Sequence, residues 1–102
     1  MRNPTAALLV AASIALAADA PREARDRQDR AALERIVAEL EAEAQKRPGD
    51  AGAHYRLAQA ESYVAEVALE QGDKNAARAA AEKGIAAAER AVKLAPGVAE
   101  HH

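Results

Sequence analysis

Apolar residues return every three or four positions through three long stretches of the chain, with charged residues between them. In the first, Leu33, Ile36, Val37, Leu40 and Ala44 fall at i, i+3, i+4, i+7 and i+11, one stripe along a helix. Glu34, Arg35, Glu39, Glu41 and Glu43 take the other faces, so the pattern predicts an amphipathic helix from Arg30 to Lys46. Asp26 or Asp29 can cap its start, Lys46 and Arg47 complement the dipole at its end, and Pro48-Gly49 stops it.

The other two stretches predict helices from Ala51 to Gln71 and from Asn75 to Leu94, with Asp50 and Asp73 as N-caps. Gly72 suits the left-handed residue just past a helix end, and Pro96-Gly97 closes the unit. The inward positions read Leu57, Ala60, Val64, Val67 and Ala68 on one helix, with Ala58 and Ala65 as small neighbours. On the other they read Ala77, Ala81, Gly84, Ile85, Ala88, Ala91 and Val92. Glu61, Glu66, Glu70, Glu82 and Glu89 are expected on outer, solvated faces with Arg56, Arg78, Lys83 and Arg90. The expected fold is all-α: an antiparallel helical hairpin with elongated helices, preceded by one further helix.

Residues 1–17 have the pattern of a signal peptide. Arg2 supplies a positive n-region, Ala6 to Ala18 form an apolar run, and Ala15-Leu16-Ala17 fits a small-residue cleavage site. That run is too short to cross about 30 Å of hydrocarbon at about 1.5 Å per residue, so no membrane span is expected after cleavage. Residues 18–29 are charged and without apolar period, and read as a solvated spacer. An exported protein, periplasmic or extracellular, is expected.

Composition thins the core. Half of the 102 residues count as hydrophobic, yet most of these are Ala, and Tyr55 and Tyr63 are the only aromatics. Ala favours helix but buries little area, so the chain should be strongly helical and weakly packed. A net charge of −2 with interspersed signs gives no reason to expect nucleic acid as a partner. The sequence holds no Cys, which removes disulfides, thiolate metal sites and a cysteine nucleophile.

Catalytic chemistry has no foothold in the pattern. No Gly-rich phosphate loop, nucleophile elbow or H-E-x-x-H occurs. His101 and His102 are adjacent, so they cannot share a helix face as a two-histidine metal site prefers, and His54 reads as a packing residue. No catalytic residue, resident metal or cofactor is expected.

Pro48-Gly49-x-Ala51-x-x-His54 recurs as Pro96-Gly97-x-Ala99-x-x-His102, 48 residues on. This resembles the join between tetratricopeptide (TPR) repeats, in which a proline ends the second helix of a unit and an Ala-x-x-aromatic stretch opens the next. His54-x-x-Leu57-Ala58 sits where that family has W-x-x-L-G, and Gly84, Ala88, Ala91, Leu94 and Pro96 sit along the second-helix pattern. The unit is longer than the usual 34 residues, as if both helices were extended by about two turns. The family aromatics are replaced by His54, Glu61 and Ala88, which weakens knob-and-pocket packing. Glu82-Lys83-Gly84-Ile85 and Ala88-Glu89-Arg90-Ala91 are similar to long-armed units in bacterial relatives of the regulators of microtubule dynamics.

The resemblance implies a TPR-like hairpin over residues 48–97, the helix of residues 30–47 packed on it, and the start of a truncated further repeat in residues 98–102. It implies a scaffold or adaptor that binds a protein or peptide partner. Arg56, Gln59 and Tyr63 project from the helix that lines the inner surface in such arrays and are the candidate partner-binding residues. The alternatives are a helical bundle that self-associates into a homo-oligomer, and a small periplasmic chaperone or metal binder.

Overall fold

The computed structural model describes residues 19–95. Within them the chain is all-α, with four helices: α1 (Ala20–Asp26), α2 (Arg30–Lys46), α3 (Ala51–Glu70) and α4 (Lys74–Leu94). The expected signal peptide of residues 1–17, the closing Pro96-Gly97 and the expected repeat start 98–102 lie outside the described residues.

Three aspartates set the starts of the long helices. Asp29 accepts from the Ala32 N–H at 3.0 Å, Asp50 from the Gly52 and Ala53 N–H groups at 2.9 and 3.3 Å, and Asp73 from the Ala76 N–H at 3.1 Å. Each satisfies donors that the first turn leaves open. Gly72 has φ +81°, the left-handed conformation that glycine takes without steric penalty. α3 stops one residue before Gln71 and α4 starts one residue before Asn75.

The stretch expected to be a solvated spacer instead carries α1. Pro21 in its first turn pre-sets the backbone, and Pro21 and Ala24 are buried. Ala20, Pro21 and Ala24 among seven residues make too short a pattern to read, so this helix depends on what it packs against. Ala24 belongs to the core, and the Arg25 guanidinium lies 4.7 Å from the centroid of the Tyr63 ring.

The core joins Ala24 of α1, Leu33 of α2, Val64 and Val67 of α3, and Ala80 of α4, with Ile36 and Val37 partly buried against them. Leu33 and Ala44 of the α2 stripe are buried, and Ile36, Val37 and Leu40 are half-buried. Among the described residues the largest fully buried side chains are Leu33 and Val67, which makes this a thin core built on small residues.

Two face assignments need correction. On α4 the buried residues are Ala80, Gly84, Ala87 and Ala91, while Ile85 and Val92 remain 59% and 44% exposed. The helix packs on its smallest face because that face permits the closest approach. A Cβ on Gly84 would stand 3.3 Å from the Glu61 Cβ and 3.4 Å from the Ala58 carbonyl oxygen. On α3, Glu61 is not on the solvated face but is only 4% exposed, whereas Leu57 is half-buried. Glu61 occupies the space opened by the missing side chain of Gly84.

Candidate partner-binding surface

Among the described helices α3 and α4 make the most extensive contact, and their small-residue seam leaves an open groove of about 480 Å³ on one side. Tyr55, Ala58 and Ala65 line it from α3, and Ala81, Ile85 and Ala88 from α4, with Gly84 between them. On α4, Ile85 is the one large side chain in the lining, between Ala81 and Ala88 one turn to either side. One helical turn beyond Ala65 and Ala88, Leu69 (60% exposed) and Val92 continue the two apolar stripes. Ser62 brings a hydroxyl to the wall, which donates to the Gln59 carbonyl at 2.7 Å. Gln59 adds a side-chain amide, and the rest of the lining is largely apolar and suits an apolar partner surface.

The three candidate partner-binding residues divide. Gln59 is exposed and lines the groove. Tyr63 is half-buried beneath Arg25 and shares a smaller notch with Pro21, Arg22 and Gln59, on the side covered by α1. Arg56 is exposed, its Nη1 lying near Gly52 on its own helix. The structure therefore brings Gln59 and Tyr63 to a shared edge, with only Gln59 facing into the groove.

Sequence reasoning missed Ile85, Leu69 and Val92 as surface residues. The signal was present in the spacing of Ala81, Ile85, Ala88 and Val92, but a lone helix does not say which of two small-residue stripes faces inward. Behind the groove floor, burial pushes the Glu61 carboxyl above its ordinary value; nearby Lys83 opposes the shift and Glu41 adds to it. His54 places Nε2 3.0 Å from the Pro48 carbonyl and ties the α2–α3 connection, in keeping with a structural role. Among the described residues no three His, Asp or Glu side chains converge in a way that could hold a metal ion.

No protein-family model, curated protein or solved structure matches this chain. No described helix is long and apolar enough to cross a membrane. The groove's chemistry is thus the most direct guide to function.

Proposed function

We propose that the chain is an exported, TPR-like helical module that holds a protein or peptide partner and carries out no catalysis. The observation that carries this reading is the open, largely apolar groove of α3 and α4, with Ile85 in its lining and Leu69 and Val92 exposed one helical turn beyond it. Exposing that much apolar side chain on a protein with so thin a core is costly unless a partner covers it. The capped, back-turning pair α3–α4 and the Pro-Gly recurrence support the repeat-like part of the reading. Export rests on the n-region, apolar run and Ala15-Leu16-Ala17 site of the first residues.

A displayed library of peptides panned on the intact protein and on its Ile85→Arg variant tests the module. Enrichment on the parent that disappears with the variant is expected. A monodisperse homo-oligomer by gel filtration with light scattering, taking up no peptides, would sink the adaptor reading in favour of a self-associating bundle. Export is checked by N-terminal sequencing of the secreted or periplasmic product, with a start near Ala18 expected.

A further inference from the structure

The turn after α1 and the turn after α3 are the same turn, displaced by 44 residues. In the first, the N–H groups of Arg27, Gln28 and Asp29 donate to the carbonyls of Glu23, Arg25 and Ala24. In the second, those of Gln71, Gly72 and Asp73 donate to Val67, Leu69 and Ala68, the same three pairs 44 positions on. Gln28 is the non-glycine residue at positive φ among the described residues, at 55°, and its counterpart is Gly72 at 81°. The N-caps Asp29 and Asp73 have matching backbone angles (φ −90°, ψ 84° and φ −95°, ψ 81°) and each accepts from the N–H three residues on. Ala24 and Ala68, which precede the turns, are both buried. The Pro-Gly recurrence is 48 residues because α4, at 21 residues, is one turn longer than α2 at 17.

The pairs α1–α2 and α3–α4 are therefore two copies of one supersecondary unit, the first with a much shorter leading helix. The first copy already has an occupant on its outer face: α3. The contact is defined by Arg30 Nη2 to Asp73 Oδ2 at 2.9 Å, Gln71 Nε2 to the Gln28 carbonyl at 3.2 Å, Arg25 over Tyr63, and Leu33 with Val64 and Val67 in the core. Shifting α2 by 44 carries Val37, Leu40 and Ala44 of its half-buried to buried stripe to Ala81, Gly84 and Ala88, which line the open groove. The same shift carries Arg25 to Leu69 and Arg30 to Lys74.

We infer that the groove of α3–α4 is the second copy of the surface that α3 fills, and that its partner is an amphipathic helix of the α3 kind, presented by another polypeptide. This rests on the interaction-module reading and specifies its occupant. The docked helix presents an Ala/Val/Leu stripe to Ala81, Gly84 and Ala88. Where α3 sets Tyr63 and Glu66 against Arg25, the new helix sets apolar residues against Leu69. An acidic residue just past its C-terminal end meets Lys74, as Asp73 meets Arg30. Lys74 is exposed, at the first position of α4.

The probe is a synthetic peptide of residues 51–73, fluorescently labelled and titrated into the full chain. Saturable binding is expected, reduced at least tenfold by Ile85→Arg in the protein. Ile85 is already 59% exposed, so unchanged helicity and thermal midpoint are expected for that variant. Replacing Asp73 by Lys in the peptide should weaken binding about two- to fivefold at low salt, the range of an exposed ion pair. Lys74→Glu in the protein should restore it. No saturable binding, or binding that Ile85→Arg leaves intact, overturns the inference. If library peptides require Ile85 while peptide 51–73 does not bind, only the α3-like occupant falls. If Ile85→Arg instead dissolves a dimer of a protein that takes up no peptide, the occupant is a second copy and both readings fall.

Discussion

At the scale of single residues, the close contact of α3 and α4 rests on Gly84. A leucine there would have to displace the Glu61 side chain and the α3 backbone at Ala58, both within 3.4 Å of the first added carbon. Gly84→Leu is expected to destabilise the fold by about 3 kcal/mol, as over-packing of a tight seam does, measured by urea unfolding. The opposite sign is expected at Gln28, which holds φ 55° at a cost that glycine avoids. Gln28→Gly should stabilise by about 0.5–1 kcal/mol, less the exposed contact of its side chain with Glu70. A Gln28→Gly protein that melts below the parent would contradict the equivalence of the two turns. Gln28 was not legible from sequence as a turn residue, because its left-handed conformation is imposed by the hydrogen bonds around it. Ile85 and Glu61 were read on the wrong faces for a related reason: the close approach at Gly84 decides burial, and hydrophobicity alone does not.

At the scale of elements, legibility follows how much of the signal is local. An N-cap is a contact between residues two or three apart, so Asp50 and Asp73, and Asp29 as one of two candidates with Asp26, could be found from spacing, and the helix bounds with them. Asp50→Ala removes the acceptor for both Gly52 and Ala53 and should cost about 1 kcal/mol. Thermal unfolding followed by circular dichroism checks this, and Asp50→Asn should recover most of the loss. The orientation of α4 was not legible, since alanine occupies nearly every face of that helix and supplies no contrast. α1 was invisible for a third reason. Its stability comes from Ala24 in a distant core and Arg25 against Tyr63, contacts that no window of its own seven residues contains.

At the scale of the whole molecule, a core of alanines and a few larger residues leaves little reserve, so buried charge weighs heavily on stability. Two carboxyls act in opposite directions. The Asp73 carboxyl is held below its ordinary 3.8 by the Ala76 N–H and by Arg30, so its contribution is present above that value and lost as pH falls. The Glu61 carboxyl is raised above 4.5 by burial, so the folded state binds its proton more tightly than the unfolded chain does. Its contribution is complete below pH 4.5 and is lost as pH rises through the folded value. Stability should accordingly decline on the neutral side of about pH 4.5 as well as in strong acid. Glu61→Gln, which keeps the shape of the protonated acid, should flatten the neutral-side decline and leave the acid limb in place. The groups facing Glu61 from the adjoining helices set the size of the effect: Lys83 from α4 lowers the carboxyl's pKa and Glu41 from α2 raises it. Lys83→Met should therefore steepen the decline, and Glu41→Gln should shallow it. Thermal midpoints from pH 3 to pH 8 for the four proteins measure this directly. A parent profile already flat above pH 4.5, or a Glu61→Gln profile parallel to it, would show that the carboxyl behind the groove is solvated and that α4 does not close over it.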